Sequence, residues 1–195
     1  KEGTAQAQGR VSVAISEYIL MSWGAELFGS VRKKLPGIEV DLLEQRWAPA
    51  IDKVRSGETM LALCAGRPER ASELSYIPLF EDELVVITAS PKTVLRKNQT
   101  LKALCVHQNS QSMLALKNTL RQNKEQWRFQ LQLQEGFNSF AAIAKLAQAG
   151  YENAIIPRAL ASALKIPASR ILEFPAPGVR VPATRLYAAV TAGVL

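Results

Sequence analysis

Residues 10–16 read Arg-Val-Ser-Val-Ala-Ile-Ser, and this short stretch decides the fold class. The run from Arg10 to Ile15 is rich in β-branched residues and is typical of a buried strand. Ser16 follows at once, and apolar residues then recur at helical spacing until Pro36-Gly37 ends the helix. A strand that passes through one small polar residue into an amphipathic helix is the building unit of α/β proteins.

The same unit recurs along the whole chain. Further strands are predicted at 38–43, 60–64, 84–88, 104–107, 129–133, 154–156, 171–174 and 185–190, and further helices at 47–55, 110–121 and 138–149. A polar, basic break at 90–100 contains a proline and separates two runs of similar size. We therefore expect an α/β fold of two lobes with largely parallel sheets.

The composition is that of an ordinary globular protein, with 48% hydrophobic and 21% charged residues. The net charge is +7, but the basic residues are scattered and form no aromatic-interleaved stripe of the kind that binds RNA. No apolar run approaches the roughly 20 residues that span a bilayer. Residues 1–10 lack the apolar stretch of a signal peptide, which favours the cytoplasm.

Few residues suit the common catalytic chemistries. His107 is the one histidine, so metal sites built on several histidines are excluded, and its place at the end of a predicted buried strand suits a structural or cleft-lining role. The Walker, Gly-x-Gly-x-x-Gly and Gly-x-Ser-x-Gly motifs are missing. Cys64 and Cys105 lie far apart in apolar runs and are interpreted as buried free thiols. The sequence predicts a binding protein without cofactor or metal, and not an enzyme.

Three strand-to-helix junctions begin with small polar residues, at Ser16, Asn109-Ser110 and Asn138-Ser139. Such side chains cap a helix by accepting its free backbone N–H groups. The same N–H groups also bind anions, and ligands of open α/β sheets bind beyond the carboxyl ends of the strands. Helix capping and a ligand site are therefore both open at each junction.

The order of these motifs resembles the effector-binding domain of LysR-type transcriptional regulators. The likeness covers nearly the whole chain and is carried by GRVSVAI at 9–15, LPGIEV at 35–40, VRSGE at 54–58 with LAL at 61–63, IPLFEDELVV at 77–86, and IAKLAQAG at 143–150 with AIIP at 154–157. Two positions depart from the family pattern: Met60 replaces an Asp and Glu152 replaces a second glycine, which puts the local loop geometry in question.

The resemblance implies a type-II periplasmic-binding-protein-like fold of two Rossmann-like lobes. Lobe I would hold residues 9–88 plus 186–195, lobe II residues 89–185, and two crossing segments near 88–91 and 183–186 would form the hinge. A small-molecule effector would bind between the lobes, and subunits would pair as dimers or tetramers. DNA would be contacted only through an N-terminal winged helix-turn-helix domain that is absent from this chain.

The resemblance also implies which residues line the effector site. These are Ser16, Glu17, Arg46, Trp47, Gly66 and Arg67 from lobe I, and Ser110, Phe137 and Asn138 from lobe II. Trp47 fits the core of lobe I equally well, and both arginines fit a solvated surface. If an arginine does reach the effector, a carboxylate is expected, because guanidinium groups pair with carboxylates through two parallel hydrogen bonds.

Two alternatives stand beside this interpretation. A periplasmic solute-binding protein has the same fold, and a regulator that senses oxidants through Cys64 and Cys105 would use the same domain. An enzyme on a two-lobed scaffold would need an acid–base pair, to which His107 alone contributes little.

Overall fold

The computed structural model describes residues 8–66, 73–91, 99–107, 109–122, 130–172 and 181–191. The chain divides into two compact units, which we call unit 1 (Lys1–Phe80 with Leu186–Leu195) and unit 2 (Glu81–Arg185). Both crossings from one unit to the other fall inside strands. The first lies in β4 (Leu74–Ile87) and the second in β9 (Pro182–Thr191).

Unit 1 contains three parallel strands followed by an antiparallel one. Its sheet has the order β2-β1-β3-β9, with β1 (Gly9–Ile15) parallel to β2 (Ile38–Glu44) and β3 (Leu61–Ala65), and β9 antiparallel to β3. The helices of this unit are α1 (Glu17–Ile19), a π-helical turn (Leu20–Gly24), α2 (Ala25–Lys34) and α3 (Trp47–Arg55).

The core of unit 1 forms where α3 packs on the sheet. Ala50, Ile51 and Val54 fall on one helical face at spacings of one and three residues and are fully or almost fully buried. They meet Ala14 of β1 and Ala62 of β3, whose small side chains let the helix approach the strands closely. The predicted helix at 47–55 is confirmed to the residue.

The helix predicted after Ser16 contains a π-helical turn. Gly24 ends this turn, and a Cβ built on it would lie 3.0 Å from Ile15 Cδ1 and 3.0 Å from the carbonyl oxygen of Ile19. These distances are tighter than ordinary Cβ contacts, so glycine suits the close packing of this turn on Ile15 of β1. In the same turn Trp23 makes an edge-to-face contact with Phe80, with ring centroids 5.4 Å apart.

Unit 2 repeats the strand–helix alternation. Its strands are the second half of β4, β5 (Thr100–Val106), β6 (Gln130–Phe137), β7 (Asn153–Pro157) and β8 (Ile171–Leu172), in the order β4-β7-β5-β6 with β8 also on β4. The helices are α4 (Gln111–Gln122), α5 (Phe140–Gln148), α6 (Arg158–Ala163) and a 3-10 turn (Ala168–Arg170).

The core of unit 2 lies between its strands and helices α4 and α5. Met113 and Leu116 of α4 and Ile143 of α5 are completely buried, as are the apolar residues of β4 and β7 that they cover. A continuous apolar run is typical of a strand that is buried on both faces, and β4 and β7 carry such runs. Each unit therefore has a core of its own.

The sheets are mixed: the expectation of largely parallel sheets holds for β1, β2 and β3 of unit 1 and for β5, β6 and β7 of unit 2, but not for β4, β8 and β9. In unit 2, β5 is parallel to β6 and β7, whereas β4 is antiparallel to β7 and β8. Parallel neighbours need a crossover connection, usually a helix. The strands β4 and β9 instead carry the chain between the units: β9 runs antiparallel to β3, and β4 runs antiparallel to β7 and β8.

Two further differences concern β4 and the residues after β7. The strand begins at Leu74, ten residues before the predicted start, so the carboxylates at 81–83 lie within it. Helix α6 was not predicted. It spans Arg158–Ala163 and is too short to show an amphipathic period.

The segment predicted as the first hinge is bonded to unit 2. The backbone N–H of Thr88 donates to the carbonyl of Arg170 at 2.8 Å, and the N–H of Ala89 donates to Asn153 Oδ1 at 3.0 Å. Gly150 also packs close to this segment, where its φ of +84° suits glycine. Residues 88 and 89 are therefore held by the body of unit 2.

Candidate functional site

The carboxyl ends of three neighbouring parallel strands meet on one side of unit 1. Because β2, β1 and β3 run in the same direction, with Ile15 opposite both Glu44 and Leu63, the residues that follow them lie side by side. Gln45 N–H donates to the carbonyl of Ile15 at 2.9 Å and joins two of these ends. We call this the carboxyl edge of unit 1. It brings together the predicted residues Ser16, Glu17, Arg46, Trp47 and Gly66.

Ser16 has the extended backbone of a helix N-cap, with φ −79° and ψ 147°, but its side chain accepts no capping hydrogen bond. Of the two roles that the sequence left open for Ser16, helix capping is therefore not the one present in the structure. Its Oγ is buried, and among the described residues it has no hydrogen-bond partner. A buried hydroxyl without a partner is costly, and one at a strand end marks a place where a ligand can supply the missing bond.

Arg46 and Trp47 follow β2 at the start of α3. Trp47 is half-buried and packs against the core of unit 1, so the core role that the sequence allowed for it is present. Arg46 is exposed and occupies the N-cap position, with φ −67° and ψ 159°. The structure thus places a solvated guanidinium at the carboxyl edge.

Gly66 follows β3 at the same edge. It is buried and has φ +91°, a conformation that glycine adopts without strain. Its carbonyl accepts a weak hydrogen bond from Cys64 Sγ at 3.4 Å. Arg67, the other arginine predicted for this site, lies outside the described residues.

Unit 2 has a corresponding carboxyl edge, formed by the ends of β7, β5 and β6. These strands are parallel, and β5 lies between the other two. His107 N–H donates to the carbonyl of Phe137 at 2.8 Å, and Ser110 N–H donates to the carbonyl of His107 at 2.9 Å. The predicted residues Ser110, Phe137 and Asn138 therefore lie on this edge.

The serines of this edge cap helices as predicted. Ser110 Oγ accepts the N–H of Met113 at 3.2 Å, and Ser139 Oγ accepts the N–H of Ala142 at 2.9 Å. Asn138 precedes the cap of α5 and is exposed, whereas Phe137 packs against the core of unit 2. A hydroxyl that accepts a capping bond still carries a proton that it can donate.

A β-bulge precedes Phe137 on β6. The register with β5 shifts between the pair Leu104–Gln134 and the pair Val106–Phe137, so β6 carries one extra residue. Gly136 lies in the bulge with φ +117°, which glycine tolerates. The bulge sets the direction in which Phe137 and Asn138 leave the strand.

Sequence reasoning missed two residues of the unit 2 edge, Arg158 and Glu83. Arg158 follows β7, and its Nε donates to Glu83 Oε1 of β4. The antiparallel register of Leu84 with Pro157 brings this pair face to face. His107 was expected at the end of a buried strand, but it lies one residue beyond β5 and is exposed. Pro157 at a strand end was the available signal for Arg158, because the residue after such an end lies on the ligand side of the sheet.

Both cysteines are free and completely buried. Burial raises the pKa of Cys64 to about 12. The pKa of Cys105 is also raised to about 12, first by burial and then by the nearby carboxylate of Glu135, against a smaller lowering by Lys117. A thiol reacts as the thiolate, so neither group is activated for chemistry at neutral pH.

Within the described ranges, no group of three or more His, Cys, Asp or Glu side chains is placed to hold a metal ion. None of the helices described there has both the length and the apolar character to cross a bilayer.

Residues 4–194 match the family described as the LysR substrate binding domain. The chain belongs to this family. It is therefore an effector-binding domain of the LysR-type transcriptional regulators, and this assignment decides between the regulator and the solute-binding protein that the sequence left open. The family domain is regulatory and ligand-sensing, not catalytic. No protein of curated function matches the sequence.

Solved structures of LysR-type effector-binding domains share the fold. An effector-binding domain of QuiR in complex with shikimate has a TM-score of 0.72 at 15% identity and covers 97% of this chain and 90% of its own. A Synechocystis CcmR regulatory domain in complex with 2-PG has a TM-score of 0.72 at 20% identity, covering 96% and 90%. The bromide-bound regulatory domain of HypT from Salmonella typhimurium has a TM-score of 0.73 at 17% identity, covering 99% and 91%. The LysR-type domain described here has their type-II periplasmic-binding-protein-like fold.

Proposed function

We propose that this LysR-type domain senses a small anion, with a carboxylate as the simplest candidate. The observation that carries the proposal is the buried Ser16 hydroxyl, which has no partner among the described residues although it stands at the end of a parallel strand. Arg46, on the same edge of unit 1, is exposed and supplies positive charge. In unit 2, Ser110 and Asn138 offer donors at the corresponding edge.

The ligands of the structural relatives support an anion. Shikimate, 2-phosphoglycolate and bromide are all negatively charged, and their proteins share this fold. Hydroxyl groups, guanidinium groups and the N–H groups of helix starts are the donors that proteins use for such ligands. We also propose effector contacts from Glu17, Trp47 and Gly66 at the carboxyl edge of unit 1 and from Phe137 at that of unit 2. Arg67, proposed with them from the sequence, lies outside the described residues.

We also propose how the effector acts. It binds one conformation of the domain more tightly than another and shifts their equilibrium by that difference in affinity alone. The shift changes the geometry of a homo-oligomer, and through a winged helix-turn-helix domain of the full-length regulator it changes how DNA is held. The domain performs no catalysis, needs no cofactor and works in the cytoplasm.

A surface on unit 1 supports the homo-oligomer. In the described part of the chain, β2 pairs only with β1, so its outer side is open, and α2 contacts it. Leu42 of β2 and Leu27 of α2 are 44% and 40% exposed, and Met21 in the π-helical turn is 45% exposed. An open strand beside exposed apolar side chains is a typical protein–protein contact.

The effector proposal is tested by calorimetric titration with shikimate, 2-phosphoglycolate and bromide as probes. We expect at least one probe to bind, and we expect Ser16→Ala to weaken it about tenfold or more, since a hydrogen bond to a charged group is worth roughly 1.5–3 kcal/mol. Arg46→Ala should also weaken it.

Ser56→Ala is the matched control. Ser56 Oγ donates to the carbonyl of Lys53 at the far end of α3, away from the carboxyl edge, so this variant should bind as the wild type does. If no probe binds at millimolar concentration, or if Ser16→Ala and the wild type bind equally well, the proposal is wrong.

A further inference from the structure

Glu83 and Arg158 form an ion pair at the carboxyl edge of unit 2. Arg158 is the first residue after β7, and Glu83 lies directly across from it on antiparallel β4. The guanidinium Nε donates to Glu83 Oε1, and the two side chains are 36% and 28% exposed. The pair is therefore open to solvent on one side, and a dissolved ligand can reach it.

The pair lies on the same edge of unit 2 as the residues that we assign to effector binding. The register of Leu104 with Ala154, continued by three residues, puts Pro157 level with His107. Neighbouring strands are about 4.8 Å apart, so Arg158 lies roughly one strand from His107 and two strands from Asn138. The two spacings amount to roughly 10 Å, which the long Arg158 side chain and a ligand of several heavy atoms can cover together.

The start of α6 itself offers no anion site. The Asp82 carboxylate accepts the N–H of Ala159 with both oxygens, at 3.3 Å each. A carboxylate of the protein thus already occupies the position that an anion would take. The guanidinium of Arg158 is the group at this edge that can attract one.

We propose that Arg158 is a specificity-determining residue for the effector, and that Glu83 is a resident carboxylate that the effector's carboxylate displaces. The proposal rests on the proposed function. In the resting state Glu83 neutralises Arg158, so an anion gains little until Glu83 turns to solvent. Half-exposed ion pairs are weak, whereas a carboxylate that meets a guanidinium in a planar, two-bond geometry binds strongly. The exchange is therefore favourable for a planar carboxylate and less so for a spherical ion.

The competition has a consequence that a purely structural ion pair does not have. Glu83→Gln removes the negative charge that repels the effector and competes for the guanidinium, so it should strengthen binding. If Glu83 only held Arg158 and the start of α6 in position, the same change would weaken binding or leave it unchanged. The direction of the effect distinguishes the two roles.

The experiment is calorimetric titration of the whole chain with shikimate and with 2-phosphoglycolate. We expect Glu83→Gln to bind about three- to tenfold more tightly than the wild type, and Arg158→Gln to bind at least about tenfold more weakly. Arg158→Lys should fall between, because an ammonium keeps the charge but lacks the planar fork of donors.

Arg10 and Asp41 provide the matched control. Arg10 Nε donates to Asp41 Oδ2 in the same manner as in the Glu83–Arg158 pair, but Arg10 lies near the amino end of β1. Arg10→Gln and Asp41→Asn should leave both affinities unchanged. Thermal melting of each variant checks folding, and if Arg158→Gln fails to fold, Glu83→Gln and Arg158→Lys decide the question.

The outcomes separate this inference from the proposed function. Weaker or unchanged binding by Glu83→Gln overturns the inference, and so does wild-type affinity in Arg158→Gln or Arg158→Lys. In those cases the loss of binding in Ser16→Ala still supports the proposed function. If the wild type binds neither probe, the anion proposal and this inference fail together.

Discussion

Cys64 and Cys105 show how the environment of a single residue limits its chemistry. Each lies inside a strand, with no part of its side chain exposed to solvent, and burial raises both pKa values to about 12. The thiolate fraction at pH 8 is then roughly a thousandfold smaller than for a thiol of pKa 9. Because both thiols are buried and protonated, these properties argue against a regulator that senses oxidants through them.

We expect neither thiol of the native chain to react with Ellman's reagent (DTNB) within an hour at pH 8. Both should react within minutes in 6 M guanidinium chloride, where burial no longer holds the thiols protonated. The absorbance of the released thionitrobenzoate measures both rates. Rapid labelling of either cysteine in the native chain would contradict this expectation and bring the redox-sensing alternative back.

Ser16, Ser110 and Ser139 show what the sequence predicts about single side chains and what it does not. All three follow strands and precede helices, and the sequence gives the same prediction for each. Two of them accept the expected capping bond, whereas Ser16 does not. A capping bond depends on the side-chain rotamer, which is set by packing around the residue and not by the local sequence.

The Glu83–Arg158 pair could not be predicted for a different reason. The two residues are far apart in the chain, and they meet only because β4 runs antiparallel to β7. Nothing in either local segment indicates that direction.

At the scale of elements, periodic patterns predicted most helices and strands. Elements that are short, or whose pattern is interrupted, were not predicted. Helix α3 was predicted to the residue because it carries a full amphipathic period between clear boundaries. The first half of β4 was missed because Pro78 and three carboxylates interrupt its apolar pattern. Such residues are tolerated in a strand where its side chains are exposed, as they are at positions 77–81.

The outer side of β2 carries a prediction at this scale. If it forms the contact of a homodimer, Leu42→Lys should shift the chain from dimer to monomer at micromolar concentration, because it places a charge on an apolar contact and adds a lysine to an open strand. Sedimentation velocity measures the two species. Met60→Lys is the control, since Met60 is 57% exposed outside β2 and α2. The prediction is contradicted if the wild-type chain is already monomeric, or if the Leu42→Lys variant remains dimeric.

At the scale of the whole molecule, the two units differ in how the chain builds them. Unit 2 is one continuous segment, whereas unit 1 needs two segments that are far apart in sequence. The second segment matters to its core: Leu186 and Ala189 are completely buried, and β9 pairs along the length of β3. The fold class followed from the alternation of strands and helices, but the antiparallel place of β9 did not, because its partner lies more than a hundred residues earlier in the sequence.

We therefore expect residues 81–185 to fold when produced alone and residues 1–80 not to. Circular dichroism and amide dispersion in NMR spectra measure both. Addition of a peptide of residues 186–195 should restore part of the structure of the 1–80 fragment, because it supplies the missing neighbour of β3. Cooperative melting of residues 1–80 without the peptide would show that β9 is dispensable.

The split construction of unit 1 also sets an order of events on the ribosome. The chain emerges from its amino end, and domains generally fold as units during synthesis. Unit 1 is translated first, yet it has to wait for β9, one of the last strands to be made. Unit 2 has all of its residues earlier and can complete its core while β1, β2 and β3 still lack their fourth strand. Of the two units of this domain, the one that is made first is thus the one that is finished last.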